Sequence, residues 1–189
     1  MDIPSDLFFA NVAASQMDDY VHSNVLFYPI DTLAIVAAAA NKGITLPQLS
    51  IGAWLETAWR LTASNLIPPQ RTQFEANRAE IAAIRQKTGD AASNAYVQKA
   101  RREFKSRLDT WSWYLDDPKS GGRYAIQVHQ RLKLALLLND VPQLENEKHR
   151  LTAYDMRLRS DFKPGKFVLE PHLQTAAPTA QFWWLYGGL

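Results

Sequence analysis

The spacing of apolar residues reads as a succession of helices. Leu7, Phe8, Val12, Met17 and Val21 keep to one helical face, and Ser5 or Asp6 stands where a cap is needed, so a first helix is predicted to about His22. Asn24 to Ile30 is rich in β-favouring residues but carries Pro29, and reads as an extended connector. Asp31 or Thr32 can cap a short, very apolar helix through Asn41. Its alanine run, Ala37 to Ala40, suits close packing on another helix, and Gly43 can end it in the left-handed conformation.

Thr45-Leu46-Pro47-Gln48 has the form of a capping box, which places the next helix at about 46–63. Leu49, Ile51, Trp54, Leu55, Trp59 and Leu61 make it apolar nearly all round, with Glu56 and Arg60 four apart; such a helix belongs in the middle of a fold. Beyond Pro68-Pro69 a polar helix, about Gln70 to Lys87, carries a thin stripe at Phe74, Ile81 and Ile84. Thr88-Gly89-Asp90 reads as a stop and a new cap. A long helix from about Ala91 to Leu115 then shows the stripe Val97, Ala100, Phe104, Leu108, Trp111 and Leu115. The two predict an antiparallel helical hairpin over about 70–115.

Asp116 to Gly122 is the clearest loop. A helix is expected at about 123–139, ending in the apolar run Leu134 to Leu138, and another after Pro142 with Leu144, Leu151, Tyr154 and Leu158 on one side. Pro164-Gly165 ends it, Lys166 to Glu170 reads as extended, and a short aromatic helix at Gln181 to Tyr186 closes the pattern. The expected fold is all-α: one domain over 1–189, a bundle of six to eight helices with the hairpin at 70–115 and a short aromatic C-terminal segment.

Composition acts mainly by exclusion. At 189 residues, 47% apolar and 21% charged, the chain has the make-up of a globular protein rather than a disordered one. It has no cysteine, hence no disulfide, thiolate ligand or cysteine nucleophile. The first residues lack a basic segment followed by an apolar core, and no apolar stretch reaches the ~20 residues of a membrane span, so a cytoplasmic protein without membrane association is expected. Net charge is +2, but residues 1–95 hold 6 basic and 9 acidic side chains, and residues 96–189 hold 15 and 10. The second half therefore permits an acidic partner.

No glycine-rich phosphate loop, G-x-S-x-G elbow or H-E-x-x-H occurs, and no cofactor or metal is expected. Asp19 with His22, and Glu145 with His149, are spaced to share a helix face and a proton or metal, or simply to pair at the surface. Ser120-Gly121-Gly122-Arg123 offers amides and a guanidinium to an anion, though a connecting turn accounts for the same residues. Lys99, Arg101, Arg102, Lys105 and Arg107 crowd the stretch 99–107 with one Glu103, a candidate basic surface for nucleic acid. Phe182, Trp183, Trp184 and Tyr186 cannot all face one way on a helix, so the tail is either wedged among helices or a patch for a partner.

The expectation from these features is a non-enzymatic helical protein acting by contact with another protein or with itself. A pocket lined by Trp54, Trp59 and Trp111 with His22 or His129 would instead indicate a ligand binder or enzyme. Nucleic-acid binding through 99–107 is the third reading.

Overall fold

The computed structural model describes residues 2–30, 32–87 and 94–189. The chain is all-α. Among the described residues it forms eight α-helices, three short 3-10 turns and a two-stranded antiparallel sheet. By their internal contacts these residues fall into two compact units, the first ending at Glu103 and the second beginning at Phe104.

In the first unit α1 spans Ile3–His22. Its N-cap is Asp2, whose carboxylate accepts from the Ser5 amide at 2.9 Å, rather than Ser5 or Asp6. Pro4 is tolerated because first-turn amides need no helical partner. Asp6 is instead buried, bound to Arg60 through both carboxylate oxygens at 2.6 and 3.0 Å. Arg60 belongs to α3 (Ile51–Ala63) and also meets buried Glu56 at 3.6 Å.

The capping box expected at Thr45 does not form. The Leu49 amide and carbonyl both bond to Tyr28 at 2.9 Å, which commits that residue to a β-bridge and keeps it out of a helix. Ser50 becomes the N-cap, accepting from the Ala53 amide at 3.1 Å. The apolar character of the helix matches its place: Ile51, Trp54 and Leu61 are buried, with Trp54 against Phe74.

Phe74 is on α4 (Pro68–Gln86), whose first proline sits at N1 and whose Gln70 accepts from the Ile67 amide at 3.2 Å. The thin stripe Phe74, Ile81 and Ile84 is buried, and α4 packs extensively on α1. With α5 (Ala95–Asp116) it is joined near the connection, where Asn94 donates to the Arg85 carbonyl and Arg85 lies over the Tyr96 ring. The predicted stop at Thr88-Gly89-Asp90, and Asp31 as a cap, lie outside the described residues. The unit boundary falls within α5, so its parts before and after Glu103 belong to different units.

In the second unit, the end of α5 is followed by α6 (Tyr124–Asp140) and α7 (Lys148–Asp161). Arg107 donates to Gln130 at 2.7 Å, and the Trp111 and Tyr114 rings meet Tyr124, so α5 and α6 run antiparallel. Buried Arg131 forks onto Asp155 at 2.7 Å and the Tyr124 ring meets Phe162, so α6 and α7 are antiparallel too. Asp109–Arg150 and Asp116–Arg157 then bridge α5 to α7 in parallel register. The chain closes with β1 (Lys163–Phe167), the short helix α8 (Thr179–Phe182), a 3-10 turn at Trp183–Leu185 and β2 (Tyr186–Gly188), which pairs with β1. Tyr186 is therefore in a strand, not a terminal helix.

Candidate contact and ligand-binding surfaces

The helix α2 (Leu33–Asn41) departs furthest from the expectation of its composition. Thr32 is its N-cap, without a side-chain bond. At its end the Ile44 amide bonds to the Ala39 carbonyl, with Gly43 at φ +65°. An alanine-rich helix that is apolar all round is expected to be buried. Here only Ala39 is buried. Leu33 is 84% exposed and Val36 44% exposed, and Ala37 and Ala40 are exposed as well. These four residues stand at i, i+3, i+4 and i+7, a single stripe facing water.

The basic stretch divides. Lys99 is not on a surface. It is 2% exposed, and its Nζ donates to the Ser23 and Val25 carbonyls at 2.6 and 2.9 Å above the Tyr20 ring. Burial, and the Arg102 charge beside it, hold the ammonium below the ordinary lysine value, while Glu103 acts the other way. Its role is to fasten the connector after α1. Arg107 is likewise buried, at 6% exposure, on Gln130. Both flank the apolar stripe closely enough to be carried inward with it. Arg101, Arg102 and Lys105 are exposed, but Arg102 is tied to the Asn24 carbonyl at 2.8 Å. Glu103, buried, accepts from the Gly52 amide at 3.0 Å in the first turn of α3, a favourable place for a carboxylate.

The aromatic tail is wedged. Phe182, Trp184 and Leu185 are buried, so Phe182 and Trp184 cannot serve as an exposed patch. The Trp184 ring lies 3.7 Å beneath the Arg131 guanidinium, and its carbonyl accepts from the buried Tyr124 hydroxyl at 2.7 Å. Trp183 is half-buried between Phe162 and Arg159, and the Tyr186 hydroxyl donates to the Ala177 carbonyl at 2.6 Å. Covering these faces removes the conflict that five large side chains would have on a free helix.

The polar pairs do not form. The His22 ring lies 2.8 Å from the Asp18 carbonyl and 3.9 Å from the Asp18 carboxylate, one turn back on the same helix face, rather than on Asp19. Glu145 pairs with Lys148 at 2.9 Å, and His149 is exposed. Among the described residues no three acidic or histidine side chains converge as a metal would require.

Trp54 and Trp111 are core residues, and the second unit holds cavities with other walls. One, of about 530 Å³, lies at the start of α6 between Tyr114, Tyr124, Leu158 and the loop before α6. A smaller one, of about 250 Å³, lies beside Arg131 and Trp184. Among the described residues no helix is long and apolar enough to cross a membrane. No family model, curated protein or solved structure matches this chain.

Proposed function

We propose that the protein acts by binding another protein chain, with α2 as the contact element. The observation that supports this is the water-facing stripe Leu33, Val36, Ala37 and Ala40 on a helix whose composition calls for burial. The i, i+3, i+4, i+7 pattern is how a short helix presents anchors to an apolar groove. A nine-residue helix is about 13 Å long. Laid flat on a matching helix it would bury far less than the ~800 Å² per partner of a standard interface. A groove that encloses it recovers more area, which favours a partner with a groove over a symmetric pair of α2 helices.

The test is a photoreactive residue at Ala40, compared with one at Gln73 on the exposed face of α4, in the full chain in its native cells. A discrete protein adduct is expected from position 40 and not from 73. Leu33→Asp with Val36→Asp should abolish it while moving the melting temperature little, since exposed substitutions rarely exceed ~0.5 kcal/mol. Identical behaviour at both positions, or an adduct unaffected by the aspartates, would remove α2 from the reading. An adduct with a second copy would change the partner to the chain itself.

A further inference from the structure

The larger cavity of the second unit has an uneven charge. Lys119 from the loop, Arg123 at the N-cap of α6 and Lys163 at the start of β1 all line it, all exposed and all without an ion-pair partner among the described residues. Arg157 is a fourth cation, held in place by the Asp116 carboxylate and the Leu115 carbonyl. Asp161 supplies the acidic side chain of the wall. Convergent cations in a concavity raise its potential and favour a counter-anion.

Two further features point the same way. Arg123 caps α6 without a side-chain bond, and the first helical bonds come from the Ile126 and Gln127 amides to its carbonyl. The positive end of the helix therefore opens at the cavity. Tyr114 is 5% exposed, its hydroxyl has no partner among the described residues, and it is not among the polar atoms sealed from solvent. Burial raises its pKa, so the group stays an O–H donor.

The rest of the wall is Leu115, Pro118, Gly122, Tyr124, Leu158 and Leu189, mostly apolar and aromatic. At about 530 Å³ the space is that of a small-molecule site and exceeds what a bare oxyanion needs. We propose that this cavity binds an aromatic phosphomonoester, its phosphate held by Lys119, Arg123 and Lys163 at the start of α6 and its ring against Tyr114 and Tyr124.

The test is calorimetric titration of the full chain at low salt with phenyl phosphate, inorganic phosphate and phenol. Phenyl phosphate is expected to bind about tenfold or more tighter than either fragment, because ion pairing and ring burial act together. Arg123→Glu with Lys163→Glu should weaken it by about tenfold or more with an unchanged far-UV spectrum, both side chains being exposed. Tyr114→Phe should weaken it several-fold, and Arg101→Glu, on the other unit, should leave it unchanged. Inorganic phosphate binding as tightly as phenyl phosphate would overturn the ring assignment. Failure of phenyl phosphate to bind, or binding indifferent to the reversal of Arg123 and Lys163, would overturn the site.

Discussion

Arg60, Asp6 and Glu56 are all buried, and one cation stands between two carboxylates. Removing a partner from a buried pair leaves a charge without compensation, which costs more than the pair contributes. The two ways of breaking this cluster are therefore unequal. Arg60→Met removes the cation that meets both buried carboxylates and is expected to lower stability by ~3–5 kcal/mol. Asp6→Asn keeps a hydrogen-bonding group beside Arg60 and leaves Glu56 as its counter-ion, so ~1–3 kcal/mol is expected. Calorimetry separates them, since each kcal/mol moves the melting temperature by about 2–4 °C at this size. Equal losses would mean that Arg60 does not neutralise both acids. Lys99 shows the same logic with backbone carbonyls in place of carboxylates. A side chain expected on a basic surface is consumed in holding Ser23 and Val25.

At the scale of elements, composition and environment part company twice. The α3 start moves to Ser50 because the bridge between Tyr28 and Leu49 claims the preceding backbone, and no local signal can outbid a pair of long-range hydrogen bonds. The C-terminal segment becomes a short helix, a 3-10 turn and a strand, with Tyr186 to Gly188 paired to β1 and Trp184 wedged under Arg131. That strand depends on Gly187. Its φ is +148°, and a Cβ there would stand 2.1 Å from the Lys163 carbonyl oxygen, a backbone atom that cannot swing away. Gly187→Ala should separate β2 from β1 at a cost of ~1–3 kcal/mol. The checks are a drop of several degrees in the melting temperature and loss of amide protection at Val168, which bonds to the Leu185 carbonyl. An unchanged melting curve would show that the strand pair contributes nothing.

For the whole molecule the charge distribution bounds any affinity for nucleic acid. The excess of basic residues in 96–189 is spread over ion pairs, buried sites and the cavity rim. Of the stretch 99–107, Arg101, Arg102 and Lys105 face solvent. If the full chain binds DNA through them, the logarithm of affinity should fall with the logarithm of salt at a slope no steeper than about −3, one counter-ion for each cation. Arg101→Glu with Lys105→Glu should abolish the binding. A steeper slope measured by fluorescence anisotropy would mean that a larger surface is recruited and that 99–107 does not define it.

Much of the architecture was legible from periodicity. The stripes Phe74–Ile84 and Val97–Leu115 and the spacing of Leu144, Leu151 and Leu158 all identify buried faces, because burial repeats with the helical period whatever lies opposite. The sites were less legible, since they depend on what lies opposite. The sequence places Arg123 and Gly122 at a helix start but cannot bring Lys119, Lys163 and Tyr114 to the same cavity, which takes the return of α7 and β1. It marks Asp6 as a cap and Lys99 as surface, because the partners that draw them inward, Arg60 and the Ser23 carbonyl, are 54 and 76 residues away. It reads α2 as a short, very apolar helix whose alanine run suits close packing on another helix, and only the fold reveals that Leu33, Val36, Ala37 and Ala40 stay exposed. Local free energies of helix formation and side-chain hydrophobicity are properties of the chain, and they determined where helices form and which faces need covering. Which faces meet, which charges are paired and which apolar stripe stays in water are decided by long-range packing, where each contact competes with every other for the same surface.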